Sequence, residues 1–238
     1  MNESLIWERP EHGNRGPRRA HSRDQITAAA VAIADEEGIE AVSMRRVAQQ
    51  FRTGAASLYR YFDSKDELLD LMLDAVMGEQ TPTPHTGAWR HDLREIAYST
   101  RRMIRRHPWA ATLTAGRPIL GPNSLRSTEH ALAALDGLPL DADQTMIVIE
   151  TLLAFVRGHT MKEVAESESV RRSGQDFAQY IRSQARYAQT VIASGLYPRL
   201  TRYWVEATVP HAPNREAQAF EQGLSSVIDG FAALLPQS

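Results

Sequence analysis

From Arg23 to the C-terminus the apolar residues of this chain recur three and four positions apart, and nowhere do they alternate as in a half-buried strand. Runs of β-branched residues are short, so the chain is expected to be all-α, with its helices delimited by caps and breakers. Ile26, Ala29, Ala30, Ile33 and Ala34 form the inner stripe of a first helix that starts at Arg23 and stops at Gly38. Ser43 caps a second, short helix in which Met44, Val47, Ala48 and Phe51 make the apolar side. After the break at Arg52-Thr53-Gly54, an equally short third helix is expected over Ala55 to Tyr61. Asp63 or Ser64 caps a fourth, with Ser64 and Glu67 as a capping box and Leu68, Leu71, Met72 and Ala75 at helical spacing.

The stretch "TPTPHTG", Thr81 to Gly87, interrupts this pattern and divides the chain. Three parts are expected: a flexible basic arm over 1–22, a head with its connecting helix over 23–80, and a second helical domain over 86–238. In the last, helical patterns run from Trp89 to His107, briefly after Pro108, and over about 122–135, 141–165, 175–194 and 215–235. With 238 residues and 42% hydrophobic content the chain can bury a sizeable core. It has no cysteine, hence no disulfide or thiolate site, and no secretion signal, so a cytoplasmic location is expected. The most apolar run, "TMIVIETLLAFV", carries Glu150 and is shorter than the roughly 20 residues of a membrane span, so it is expected to be a core helix.

The net charge of -2 gives no global attraction to nucleic acid, and local charge decides. Between Ala41 and Phe62 stand four arginines, Arg45, Arg46, Arg52 and Arg60, and no carboxylate, although acids are dense on either side. Two short helices joined by a tight turn and bearing a basic face can seat the second helix in the major groove of duplex DNA. Gly54, Ala55, Ala56 and Ser57 are small enough for the start of that helix to come close to bases or phosphates. Leu58 and Phe62 are expected to face the core, leaving Tyr59, Arg60 and Tyr61 outside. The rival reading is an all-α small-molecule-binding protein or enzyme with an incidental basic face. Against it, there is no Walker loop, dinucleotide fingerprint or nucleophile elbow, and no His, Asp and Glu set with ligand spacing. No catalytic residue, metal or cofactor is expected.

The stretch "AAAVAIADEEGIEAVSMRRVAQQFRTGAASLYRYFDSKDELLDLMLDAV" resembles the tetracycline-repressor (TetR) family of bacterial transcription factors, helix by helix over about 50 residues. The resemblance implies that Arg45 binds phosphate or guanine, that Thr53, Ala55, Ala56, Tyr59, Arg60 and Tyr61 face the groove, and that Lys65 grips phosphate. Arg60 is the candidate for a bidentate guanine contact and Ala55 or Ala56 for a thymine methyl. Gly54 and Ser57 belong to the same surface, with turn and cap chemistry as the alternative. The family usually has Leu-Gly-Val where this chain has Phe51-Arg52-Thr53, so Arg52 can add a contact.

Past the linker, "WRHDLREIAYSTRRMIRRHPWAATLTAGRPILGPNSLRSTEHALAAL" resembles the C-terminal domain of the tetracycline-repressor branch. The resemblance implies a homodimer on a double-stranded DNA operator and a pocket for a small-molecule inducer in each regulatory domain. Ile96, Thr100 and Met103 lie on one stripe, Trp109, Leu113 and Pro118 come from the next segment, and "TAGRPILGPN" breaks the helical pattern as a cavity wall would. Arg117-Pro118 matches the Arg-Pro that lines the inducer site in that branch, and His130 falls near a polar pocket position. Those repressors carry a magnesium-ligating histidine shortly before the Arg-Pro, where this chain has Leu113 or Thr114. Apolar stripes over about 175–194 and 215–235 are expected to pack against a second copy.

Overall fold

A computed structural model of the chain describes residues 4–9, 21–116, 119–208, 212 and 214–235, apart from the Phe177 side chain. These residues form eleven α-helices, a 3-10 turn at Ile39–Ala41 and no strand: α1 Arg23–Glu37, α2 Met44–Gln50, α3 Ala55–Leu58, α4 Lys65–Gly78, α5 Trp89–Arg106, α6 Ala110–Thr114, α7 Pro122–Ala133, α8 Ala142–Ser173, α9 Phe177–Ser194, α10 Pro198–Glu206 and α11 Arg215–Ala232. The first boundaries follow from local chemistry. Ser22 and Gln25 close a capping box at α1, with both hydrogen bonds at 3.0 Å. Gly38 ends α1 with φ of 89°, a conformation open to glycine at little cost. At α4 the cap is split: Ser64 Oγ accepts from Glu67 N at 3.2 Å, while the Glu67 carboxylate reaches back to Asp63 N at 2.7 Å.

The chain divides into two compact units, Met1–Leu153 and Ala154–Ser238. The division falls inside α8, whereas the sequence places its linker at Thr81 to Gly87. In the first unit, Ile26 and Ile33 of α1, Val47 of α2, Leu58, Phe62, and Leu68 and Met72 of α4 make the heart of the core. Met103, Ile104, Trp109, Ala110 and Ala111, from the end of α5 and from α6, join the same core. Segments beyond the linker are thus built into the base of the head.

Part of the expected arm is folded down. Ile6 is buried, Arg9 pairs with Asp63 at 2.5 Å and with Glu67, and Arg23 donates to the Arg9 carbonyl at 2.7 Å. Arg15, Arg18 and Arg19 lie outside the described residues.

In the second unit Phe220, Leu224 and Ile228 of α11 are buried, and Phe155 packs so close to Gly223 that a Cβ there would collide with its ring. The apolar stripe of α11 is therefore spent largely inside the chain. Helix α9 differs, for Tyr180, Ile181, Tyr187 and Ile192 remain exposed, Tyr187 at 70%. Two boundaries differ from expectation: α8 runs on to Ser173, and α10 forms within a segment read as a connection, starting at Pro198 and carrying an Arg202–Glu206 pair at 2.8 Å. No helix of the described residues is long and apolar enough to cross a membrane.

Candidate nucleic-acid interface

The helix pair α2 and α3 is set by its caps and by a turn with one unusual residue. Ser43 Oγ accepts from Arg46 N at 3.1 Å, and the inner side of α2, Met44, Val47 and Ala48, is buried. The turn is closed by Arg52 N and Thr53 N, which donate to Gln49 and Ala48 carbonyls at 3.1 Å. Arg52 takes φ of 52°, and among the described residues it is the one non-glycine residue with positive φ. It occupies the place where the family commonly has glycine. Its conformation costs about 1 to 2 kcal/mol in a residue with a Cβ. At the entry to α3, Thr53 Oγ1 donates to Ser57 Oγ at 2.9 Å, which locks the first turn.

This geometry leaves Arg45, Arg52, Gly54, Ala56, Tyr59, Arg60 and Lys65 exposed, Tyr59 at 52%, with Thr53, Ala55 and Ser57 half-buried beside them. Two expected members leave the face. Helix α3 ends at Leu58 instead of reaching Tyr61, and the chain turns at Tyr59. The turn swings Tyr61 inward, where only 8% of it stays accessible and its ring lies 6.3 Å from that of Phe62. Tyr61 is therefore a core residue, not a groove residue. Arg46 pairs with Glu37 across the α1–α2 corner, and its hydrogen bond holds the Glu37 carboxyl below the usual carboxylate range. No such carboxylate partner for Arg45, Arg52 or Arg60 stands among the described residues.

Beneath the basic face lies a base that sequence reasoning missed. His107, buried at the end of α5, reaches Asp35 of α1 with Nδ1 at 2.8 Å and Glu79 with Nε2 at 3.1 Å. Trp109 Nε1 donates to the same Asp35 at 2.7 Å, so Trp109 also anchors α1. The available signal was His-Pro-Trp at a helix end, which marks a stop without naming partners. Asp74 of α4 is also buried. It accepts from Ser124 N at 2.8 Å, Ser124 Oγ at 3.0 Å, Asn123 N at 3.1 Å and Asn123 Nδ2 at 3.0 Å. A carboxylate from one helix thus caps the N-terminus of another, α7, where the helix dipole also favours it. Gly121 is needed there for space, since a Cβ would collide with Asp74. The break at "TAGRPILGPN" is at this end a docking point for α4.

Two of the expected ligand residues border described cavities. Leu113 lines a cavity of about 290 Å³ between α4 and α6, together with Leu69, Leu73 and Ile119. Met103, largely buried in the core of the head, borders a smaller one of about 230 Å³ with Ser99 and Glu79. Ile96 and Thr100 are half-buried on α5. His130 stacks on His85 with ring centroids 4.2 Å apart, and burial, aided by the neighbouring imidazole, lowers its pKa. Arg117 and Pro118 lie outside the described residues.

Comparison with known proteins agrees with this architecture. Residues 26–72 match the family described as bacterial regulatory proteins, tetR family, and residues 81–235 match the tetracyclin repressor-like C-terminal domain. The first match ends before the sequence linker, and the second begins with it. The chain is 35% identical over 235 residues to the transcriptional repressor DrrR1 of Streptomyces coeruleorubidus, covering 98% of this chain and 85% of that one. It is similar to the crystal structure of apo ActR from Streptomyces coelicolor, with 28% identity, a TM-score of 0.71, and coverage of 92% and 97% of the two chains. ActR in complex with actinorhodin aligns with a TM-score of 0.70 at 28% identity, over 93% of this chain and all of that one. With a match to the family's C-terminal domain over most of its length and a helix-turn-helix head that shows a bare basic face, the chain belongs to the TetR family of transcriptional regulators.

Proposed function

We propose that the chain represses transcription by binding a palindromic operator as a homodimer and releasing it when a small molecule fills the C-terminal domain. The observation that carries the reading is the exposed edge of α3. Tyr59 and Arg60 project from a helix whose inner residue, Leu58, is fully buried. Thr53, Gly54, Ala55, Ala56 and Ser57 let the start of α3 approach the groove, Arg45, Arg52 and Lys65 meet phosphates, and Arg60 reads a guanine. The uncovered aromatic and aliphatic side chains of α9, with Tyr203 and Trp204 of α10, support a second copy as the partner that covers them.

Release follows from geometry. Two recognition helices of a dimer must stand about 34 to 36 Å apart to enter successive turns of the major groove, so a ligand that favours another separation lowers affinity. The binding of actinorhodin by ActR supports a small organic effector, and the repressor name of DrrR1 supports the sign of regulation. We place the effector against α5 to α7, near Ile96, Thr100, Leu113 and His130, from which the Asp74 cap of α7 leads back to α4. Such a protein acts on cytoplasmic DNA and needs no catalytic group.

The test is a selection of genomic fragments by the purified protein, read by sequencing at two salt concentrations. One palindromic motif is expected, with affinity falling steeply as salt rises. Weak, sequence-blind binding would sink the operator reading and favour a carrier of small molecules.

A further inference from the structure

The sequence pattern predicts no metal, yet one cluster in the second unit has the makings of a site. His159 and Glu163 stand one turn apart on α8, and Glu216 comes from the first turn of α11. One potential ligand atom from each lies within 4.8 Å of the others. The independent observation is polar satisfaction. Both His159 ring nitrogens and Glu216 Oε2 are buried without a hydrogen-bond partner. His159 Nδ1 is 3.2 Å from Glu163 Oε1, near enough for electrostatic attraction but not aligned as a hydrogen bond. Buried polar atoms without partners are rare because water would otherwise have solvated them, and here three such atoms fall on two of the three residues, His159 and Glu216.

We propose that His159, Glu163 and Glu216 bind one divalent transition-metal ion of the zinc class. An imidazole nitrogen with two carboxylate oxygens suits zinc or cobalt better than calcium or magnesium, which prefer all-oxygen shells. Bonds of about 2.0 to 2.2 Å put ligand atoms of a common ion at most about 4.4 Å apart, so a small side-chain rotation closes the set. The surroundings assign the remaining atoms. Arg215 pairs with Glu216 Oε1 and with Glu166, and Lys162 Nζ stands 3.9 Å from the same Glu216 Oε1. These cations hold one oxygen of Glu216 and leave Oε2 for the ion, as outer groups commonly orient a ligating carboxylate. Phe155 and Phe220 flank His159, with ring centroids 5.9 and 5.3 Å away, and supply the apolar wall. The ion would tie α8 to α11 with three protein ligands and an open position.

The experiment is competition titration of the full-length, untagged chain with Zn²⁺ against a chromophoric chelator, and direct titration with Co²⁺ followed in the visible. One equivalent per chain is expected, with Co²⁺ bands of four- or five-coordinate intensity. His159→Gln and Glu216→Gln should each weaken Zn²⁺ binding tenfold or more, while far-UV circular dichroism without metal stays unchanged. His85→Gln serves as a control that leaves binding intact. No binding, or equal binding by both ligand variants, would overturn the proposal, the latter by locating the ion on others of the eight histidines. Should His159→Gln fail to fold, Glu216→Gln decides alone.

Discussion

The outer face of α2 and α3 and the base beneath it both carry polar and charged side chains and treat them in opposite ways. At the base two carboxylates are paired: Asp35 takes hydrogen bonds from His107 and Trp109, and Asp74 takes four from the start of α7. On the outer face Arg45 and Arg60 stand exposed, Tyr59 stands half in solvent, and Arg52 holds a strained backbone. Satisfied groups at the base fix α4 and α5 to the head. Unsatisfied groups on the face are held ready for a partner that this chain does not supply. The difference separates residues that transmit from residues that read.

The neighbouring tyrosines give the largest and cleanest break of that comparison. Tyr61→Ala should cost about 3 to 5 kcal/mol of stability, as for other buried aromatics, measured by urea denaturation. Tyr59→Ala should leave the urea midpoint within about 0.5 kcal/mol of the parent and weaken operator binding instead. Equal loss of stability in both variants would erase the distinction between face and core.

Next in size is the link between α4 and α7. Asp74→Ala leaves two backbone N–H groups and the Ser124 hydroxyl unpaired at a buried helix start, so a loss of about 2 to 4 kcal/mol is expected. Thermal melting checks it. A shift no larger than that of a surface variant would show that water replaces the carboxylate, and α7 would then be only loosely tied to α4.

Much of this architecture was legible in the sequence because local chemistry sets it. Gly38, Ser43 and Ser64 delimit helices through bonds to residues three or four away, and the structure keeps each of them. The face was legible too, since a run without carboxylates needs no knowledge of folding. Tyr61 was misread because helical periodicity was extended through Tyr59, where α3 has already ended in a turn. His107 and Asp74 were missed for another reason. Their partners stand 72 and 49 positions away in the chain, and no local pattern records such pairing. His159 and Glu163 stand four apart but were not read as ligands, and Glu216 is brought to them only by the packing of α8 on α11.

Arg60→Ala tests the reading side directly. Loss of a bidentate guanine contact should weaken operator binding by about 1 to 3 kcal/mol and relax the preference at one base position, with stability unchanged. A uniform loss across all operator variants would make Arg60 a phosphate contact, and the base reader would have to be sought at Tyr59 or Thr53.

The smallest expected effect is at Arg52, where the face and the backbone pull in opposite directions. Glycine would relieve about 1 to 2 kcal/mol of left-handed strain at φ of 52° and lose about 0.5 to 1 kcal/mol to the freer unfolded chain. Arg52→Gly should therefore stabilise the protein by up to about 1.5 kcal/mol. The same change removes a cation from the face, so operator affinity should fall and its salt dependence should flatten by about one phosphate contact. Higher stability with unchanged DNA binding would mean that Arg52 is strained without contributing to the interface. Lower stability would mean that its side chain, by packing over the turn, offsets the strain of its own backbone.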